Sequence, residues 1–347
     1  MKRLLIIRFS AMGDVAISVP VITSLALSNP GLEVTVLTQQ RMVPLFSWMP
    51  SNVEVLGVDL HRYHGIGGLG KLFHRLRGYR FDAVADIHDV LRTKYLRMRF
   101  LLQGTRVSVI DKSRSERKAL LGHGLDHDAL MPVTEKYASV FRKLGLNLNA
   151  SYTPPRIPKD ELTFPFPIAS PAIGVAPFAA HSGKIYPLEM MKQVVDSLAD
   201  SGVQVFLFGA GDQEKDILES WERAGVITIV GKLGGLRNEL ILMSRLSLMI
   251  SMDSSNMHMA AMMGTRTLSV WGATHPKAGF VAWNQPEDSI IQVDMPCRPC
   301  SIYGSKPCSK GDYPCLREIS PEKIVNKVKE LLFNGQSSMY KVQDEAQ

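Results

Sequence analysis

The sequence predicts an α/β protein made of two doubly wound, parallel-sheet domains. Three observations carry that prediction. Short apolar, β-rich runs alternate with segments of helical spacing along both halves of the chain. The 347 residues, 45% of them hydrophobic, suit two cores of roughly 150 residues each better than one. Between the halves, residues 153–171 hold Pro154, Pro155, Pro158, Pro165, Pro167 and Pro171. Repeated proline is excluded from helix interiors and central strands, so this stretch is the expected linker. The expected division is a first domain at 1–160, a second at 161–333, and a mobile polar tail at 334–347.

In the first half, Leu4 to Ile7 is the first strand, Arg8 to Asp14 a loop, and Val15 to Leu27 a helix. Val19, Ile22, Leu25 and Ala26 supply that helix with its apolar spacing, and Pro20 is placed near enough to its first turn to be tolerated. Val34 to Leu37 and Val53 to Leu56 are the next strands. The glycine-rich 65–68 segment leads into a helix near Leu69 to Leu76, and Phe81 to Ile87 is a further strand ending in Asp86-Ile87-His88-Asp89. Segment 112–118 is strongly basic and reads as a loop, either simply solvated or touching an anionic acceptor. A helix at Tyr137 to Leu144 closes this half.

The second half repeats the pattern. Ala172 to Val175 is a strand, 176–186 a loop, and a helix follows from Pro187. Val203 to Phe208 runs into Gly209-Ala210-Gly211-Asp212 and a helix near Gln213. Ile227 to Val230 and Leu236 to Ser244 are the next strand and helix. Then comes the stretch on which the chain is organised. Leu246 to Ile250 ends a buried strand, and Asp253, Ser254, Ser255 and Asn256 form a polar elbow of good N-cap residues. A helix of small and flexible apolar residues follows, Gly264 stops it, and Leu268 to Trp271 is the next strand. Such an elbow aims free backbone N–H groups and the positive end of a helix at one spot, which suits a phosphate; an ordinary capped helix would read the same way. Pro321 to Phe333, with proline in the first turn, is the last helix.

Composition narrows the function classes. A formal net charge of +7 fits an anionic partner such as nucleotide phosphate, an acidic lipid surface or nucleic acid. Neither zinc-finger spacing nor an RNA-recognition signature is present, so no nucleic acid is expected. No apolar run reaches the roughly 20 residues that span a bilayer. Arg8 interrupts the first apolar run too early for a signal peptide, so a cytoplasmic protein is expected. Gly-x-Gly-x-x-Gly does not follow the first strand of either half, which argues against a dehydrogenase. Ligands of such sheets bind beyond the carboxyl ends of the strands, which points to loops 8–14, 86–94, 112–118, 176–186, 209–214 and 253–258.

Several separated motifs carry a resemblance. Asp253-Ser254-x-x-x-His258-x-Ala260-Ala261, then a strand and Gly272-x-Thr274-x-Pro276, is similar to the donor-site signature of glycosyltransferase family 9, the lipopolysaccharide heptosyltransferases. Leu4 through Gly13-Asp14, followed by Ser18-Val19-Pro20, resembles the opening of the same family. Asp82-Ala83-Val84-Ala85-Asp86 resembles its Asp-x-x-x-Asp strand, and Ala176-Pro177 through Lys184-x-x-Pro187 its phosphate-binding loop. The resemblance touches almost the whole chain in the right order. It implies a GT-B fold, two Rossmann-like domains facing an interdomain cleft. It also implies inverting, metal-independent transfer from a nucleotide-diphosphate sugar, usually ADP-heptose, to the inner core of lipopolysaccharide.

Site roles follow from that chemistry. An inverting displacement needs a base for the acceptor hydroxyl, and Asp14, after Gly13, matches the family's proposed base; capping its helix is the other reading. Charge gathers on the departing diphosphate, so cations and helix ends must meet it. Lys184 is the first candidate and Arg8 the second. Ser254, Ser255 and Asn256 would hold the pyrophosphate through backbone amides, with Ser182 supplying a hydroxyl where Ala179-Ala180 do not. Asp253 would bind sugar hydroxyls or order the elbow. Glu214 resembles an acidic residue that holds the nucleotide ribose, and His258 is either a donor contact or a packing residue. On the acceptor side stand Gly13, His88, Arg92, Arg114, Arg117 and Lys118. The family's commoner Asp-x-Gln-Gly is replaced here by Asp86-Ile87-His88-Asp89, which leaves the acceptor open.

The four cysteines are Cys297, Cys300, Cys308 and Cys315. The spacing of the second pair is wide for a zinc ribbon, so free thiols are expected over structural zinc, with no cofactor and no catalytic metal. The expected partners are a nucleotide-diphosphate sugar, a lipid-linked lipopolysaccharide core acceptor and the anionic inner face of the bacterial inner membrane, approached peripherally. Other readings are a family 9 transferase with a different sugar or acceptor, and a bilobed nucleotide-sugar-binding protein without catalysis.

Overall fold

The computed structural model describes residues 1–334. The expected tail thus lies outside the described residues, apart from Asn334. The chain divides into two compact units. The first comprises Met1–Glu116, Leu130–Arg156 and Gly279–Trp283, and the second Arg117–Ala129, Ile157–Ala278 and the chain from Asn284 on.

The first unit is a five-stranded sheet of β1 (Arg3–Ile7), β2 (Glu33–Gln39), β3 (Val53–Val58), β4 (Ala83–Asp86) and β5 (Arg106–Val109). Their spatial order is β3-β2-β1-β4-β5 and every pairing is parallel. α1 (Met12–Ser28), α2 (Gly65–Arg77), α3 (Leu91–Leu101) and α5 (Val133–Arg142) belong to this unit and follow the strands, as parallel pairing requires, while α4 (Arg114–His123) starts at its boundary and from Arg117 on belongs to the second unit. Leu5, Ile7, Val84, Leu72, Phe73, Leu96 and Phe100 lie in one buried cluster, which fastens α2 and α3 to the sheet.

The second unit is a six-stranded parallel sheet of β6 (Ala172–Ala176), β7 (Gln204–Leu207), β8 (Val226–Thr228), β9 (Leu248–Met252), β10 (Thr267–Val270) and β11 (Ile290–Ile291), in the order β11-β10-β9-β6-β7-β8. Its helices are α6 (Leu188–Asp200), α7 (Gly211–Glu219), α8 (Leu236–Met243), α9 (Ser255–Met262), α10 (Pro314–Arg317) and α11 (Pro321–Lys329). Strands β6, β7 and β9 are buried at every position, so apart from Gln204 and Ser251 they read as apolar runs rather than alternating ones.

Four expectations change. α1 begins at Met12, not Val15, and Pro20 sits inside it, well past the first turn. The helix accommodates Pro20 while buried from Val15 to Ala26, and Ser24 Oγ donates to the Pro20 carbonyl at 2.9 Å. Segment 112–118 is not a loop, because α4 starts at Arg114. Finally, the sequence pattern predicts neither α3 nor β5: α3 buries Thr93, Leu96 and Phe100 and packs partly buried Tyr95 against the same core, and these are scattered among four cations. Among the described residues, no helix is long and apolar enough to cross a membrane.

Candidate active site

Each sheet has one place where the chain turns back on itself. In the first, β1 leads out to β2 and β3, and β4 returns to the other side of β1; in the second, β6 leads to β7 and β8, and β9 returns to the other side of β6. The connections leaving the two neighbouring strands diverge there and open a crevice at their carboxyl ends. The chemically suited residues of each unit gather at that point.

In the first unit, β1 delivers Arg8 and β4 delivers Asp86 and His88. Arg8 is 7% exposed, and its guanidinium reaches Asp14 Oδ2 at 2.5 Å and donates to the Ile87 carbonyl at 2.7 Å. It also stands over the Tyr137 ring at 5.7 Å. Asp14 is the third residue of α1, not its cap. The N-cap is Ala11, which has no side-chain acceptor, and Asp14 Oδ2 instead accepts from the Ala11 N–H at 3.4 Å. Both contacts fall on Oδ2. Oδ1, on a side chain 27% exposed, has no hydrogen-bond partner among the described residues and is available to an incoming hydroxyl. Gly13 precedes it on the same turn.

His88 is buried beside Arg8, with Nδ1 accepting from the Phe9 N–H at 3.4 Å and Nε2 at 3.5 Å from Ser10 Oγ. Burial first, then the Arg8 and Lys112 charges, pull its pKa down to about 3, so the ring is neutral at physiological pH. Asp86 is fully buried. One oxygen accepts the His88 and Asp89 N–H groups at 3.0 and 2.8 Å, and the other meets Arg97 at 3.1 Å. Asp82, the other end of the Asp-x-x-x-Asp strand, lies at the opposite end of β4. It accepts the Lys2 and Arg3 N–H groups at 2.6 and 3.0 Å, and its role is to tie strand ends together.

In the second unit, the loop after β6 delivers Lys184 and the elbow after β9 delivers Asp253 and α9. Lys184 Nζ lies 2.9 Å from Asp253 Oδ2, and the same oxygen accepts from Thr274 Oγ1 at 2.8 Å. Gly304 makes room for the lysine stem: at φ +78, a Cβ there would lie 2.7 Å from Lys184 Cγ. Asp253 is 5% exposed, so it orders the elbow and holds Lys184. The N-cap of α9 is Ser254, whose hydroxyl makes no cap bond and instead meets Ser251 Oγ at 3.1 Å. Ser254, Ser255 and Asn256 are partly exposed, and the first turn of α9 keeps its N–H groups open. An uncapped helix start beside a lysine is a good seat for phosphate oxygens. His258 is buried in α9 with Nδ1 unpartnered among the described residues, and burial, then the Lys184 charge, lower its pKa to about 3.

Residues 69–310 match the family described as glycosyltransferase family 9 (heptosyltransferase). The chain belongs to glycosyltransferase family 9.

Curated relatives agree. Lipopolysaccharide heptosyltransferase 3 of Escherichia coli is 24% identical over 82% of this chain and 88% of its own. Lipopolysaccharide heptosyltransferase 1 of Pseudomonas aeruginosa is 23% identical over 95% of this chain and 98% of its own. Among solved structures, the E. coli ADP-heptose LPS heptosyltransferase II superposes with a TM-score of 0.71 at 20% identity, covering 97% of this chain and 100% of that one. That likeness shows the fold, the two Rossmann-like domains of the GT-B class.

The other expected residues of this family 9 enzyme have contacts of their own. Glu214 lies in the first turn of α7 and spends one carboxylate oxygen on the Ala210 N–H at 2.7 Å. Ser182 Oγ meets Tyr313 OH at 3.0 Å. Arg92, Arg114 and Lys118 are exposed. Arg117 is partly buried: it bonds Tyr303 OH at 2.5 Å and stands over that ring at 5.7 Å. An aromatic acceptor 186 residues away is invisible to local patterning.

Other contributors carried no signal that local reading could use. Tyr137 donates to the Asp14 carbonyl at 3.3 Å, and Lys112 to the Asp89 carbonyl at 2.7 Å. Thr274 belongs to the Gly-x-Thr-x-Pro motif, which says nothing of its bond to Asp253. Arg298 lies inside the Cys-x-x-Cys and is completely buried. It donates to the Gly272 and Thr274 carbonyls at 2.6 and 2.9 Å and to Gln292 Oε1 at 2.9 Å, with a further bond to the Val293 carbonyl. It thus fixes the loop from which Thr274 reaches Asp253. Cys297, Cys300 and Cys308 are partly buried and Cys315 buried, all as free thiols. Among the described residues, no group of three or more His, Cys, Asp or Glu side chains is placed to hold a metal ion.

Proposed function

We propose that this family 9 transferase moves a heptose from ADP-heptose to the inner core of lipopolysaccharide, with inversion at the anomeric carbon. The observation that carries the reading is Lys184 standing beside the open amino end of α9, at the point where β6 and β9 diverge. A diphosphate bound there meets one ammonium and a set of unspent N–H groups, which is what a departing nucleoside diphosphate requires. The names of the curated relatives, lipopolysaccharide heptosyltransferases of E. coli and P. aeruginosa, support the sugar and the acceptor.

In this reading Asp14 Oδ1 takes the proton of the acceptor hydroxyl while Arg8 holds Oδ2. The acceptor oxygen forms its bond to the anomeric carbon from the face opposite the leaving group. The bond from that carbon to the diphosphate oxygen breaks, and its electron pair stays on the phosphate, opposite Lys184. His88, neutral and buried beside Arg8, offers shape and a hydrogen-bonding ring nitrogen rather than charge. The enzyme works at the cytoplasmic face of the inner membrane, where the lipid-linked acceptor lies, with exposed Arg114 and Lys118 among the cations that face anionic groups.

The test is a transfer assay with purified protein and a panel of nucleotide sugars, using an inner-core acceptor freed of its acyl chains. Transfer from ADP-heptose at least tenfold above any other donor, with a product of opposite anomeric configuration by NMR, is the expected result. Transfer from another nucleotide sugar alone would assign a different donor, and retention of configuration would remove Asp14 from the role of base.

A further inference from the structure

Helix α3 and its cap carry large apolar side chains on the outward face as well as on the inward one. Thr93, Leu96 and Phe100 face the core and are buried. On the opposite side Leu91 is 85% exposed, Leu102, the residue capping the helix, 80%, and Met98 52%. At about 100° per residue these three fall within roughly 40° of one line, while partly buried Tyr95 to its side packs back against the core. Leu101, 53% exposed, stands at its edge. A helix that faces solvent is ordinarily polar along that line.

The same helix is rich in cations. Arg92, Lys94, Arg97 and Arg99 border the apolar line, and no Asp or Glu occurs between Val90 and Thr105. Arg97 is tied down to Asp86 and Asp89, and Arg99 lies over Phe73 at 4.8 Å. Arg92 and Lys94 are exposed. Contact with a second copy of this face would set like charges against one another around a small apolar strip, which disfavours it. An anionic bilayer surface suits both features at once. Leucine and methionine side chains enter the boundary between headgroups and acyl chains, and the flanking cations stay among the phosphates.

We propose that the outward face of α3, through Leu91, Met98 and Leu102, seats the enzyme on an anionic lipid bilayer. The proposal rests on the reading of a lipid-linked acceptor, and it names the surface through which the protein meets that membrane.

The test compares wild-type protein with a triple variant, Leu91→Ser, Met98→Ser and Leu102→Ser. All three residues are more than half exposed, so the fold does not depend on them. Sedimentation with vesicles of phosphatidylcholine containing phosphatidylglycerol should show wild-type binding that falls with salt but is not abolished, since burial of apolar groups is not screened. The triple variant should partition at least about tenfold more weakly at low salt and be fully released at high salt. Both proteins should melt at the same temperature and turn over an acyl-free core acceptor at rates within twofold. Equal partition of the two proteins would overturn the proposal. So would a wild-type dimer that the triple variant dissociates while vesicle binding is unchanged, which would make this face a contact between copies. If neither protein transfers heptose to any acceptor, the functional reading fails, while the vesicle comparison still decides the role of α3.

Discussion

Lys184 Nζ lies 2.9 Å from Asp253 Oδ2, and both side chains are largely buried, at 16% and 6% exposure. The lysine comes from the loop after β6 and the aspartate from the elbow after β9, so the pair joins the two connections that diverge at this crevice. Asp253 accepts from Thr274 on the same oxygen, leaving Lys184 two further N–H donors for a ligand.

That pairing makes a single substitution misleading. Lys184→Ala removes a ligand cation and also strands a buried carboxylate, which typically costs about 3–5 kcal/mol. We expect this variant to melt well below wild type, bind nucleotide sugar at least tenfold more weakly and lose turnover. Lys184→Ala combined with Asp253→Asn removes the stranded charge. The double variant should regain most of the lost stability in thermal melts while staying inactive. Recovery of activity along with stability would show that Lys184 acts only on the fold.

Asp14→Asn keeps the shape of the carboxylate and an oxygen for Arg8 or the Ala11 N–H, but cannot take up a proton. Turnover should fall by about 10²–10⁴-fold, with donor affinity by calorimetry within a few-fold of wild type. A wild-type kcat at saturating donor and acceptor would exclude Asp14 as the base.

His258 predicts a pH effect on stability. Its folded-state pKa, lowered to about 3, lies below the unfolded value near 6.5. Between those values the unfolded chain binds the extra proton, so stability rises with pH and is lost on acidification. One such group adds a slope of about 1.4 kcal/mol per pH unit. His258→Gln should therefore flatten the dependence of stability on pH between pH 4.5 and 6.5 in urea titrations. Parallel curves for the two proteins would contradict the buried neutral ring.

Arg298 offers the largest stability effect. Its guanidinium, itself fully buried, satisfies three carbonyls and one side-chain amide oxygen, with the bonds to Gly272 and Thr274 buried and those to Val293 and Gln292 partly so. Arg298→Met strands these acceptors and should cost more than about 3 kcal/mol in chemical denaturation, since each stranded group costs about 1–3 kcal/mol. Arg298→Lys should recover little, because three donors on one point cannot cover the span of a planar fork. Near-wild-type stability of the lysine variant would show that charge, not fork geometry, matters there.

Much of this molecule is legible along the chain because parallel sheets declare themselves locally. Buried strands such as Leu4–Ile7 and Ala172–Val175 are continuous apolar runs, and Gly264 marks a helix end through its φ of +86. The polar elbow at 253–256 announced an exposed helix start for the same reason: strand, cap residues and helix lie within a few residues of one another. α3 is less legible, since its three buried residues and Tyr95 are outnumbered by cations and leucines that do not face the core. Asp14 reads as a loop residue along the chain, because nothing local distinguishes a third helical residue after Ala11 from the residue that caps the helix.

Residue types, strand order along the chain and motif spacing therefore came from sequence, since helix period, strand burial and cap chemistry act over a few residues. Partner choice did not. That Asp253 holds Lys184, that Tyr137 lies under Arg8, that Arg117 turns to Tyr303 and that Arg298 spans the loop after β10 all depend on chain segments from 5 to more than 180 residues apart. Such pairs form only where packing of the sheets and helices brings the segments together, and a charge in a low-dielectric interior must then take whichever opposite charge or carbonyl the fold supplies.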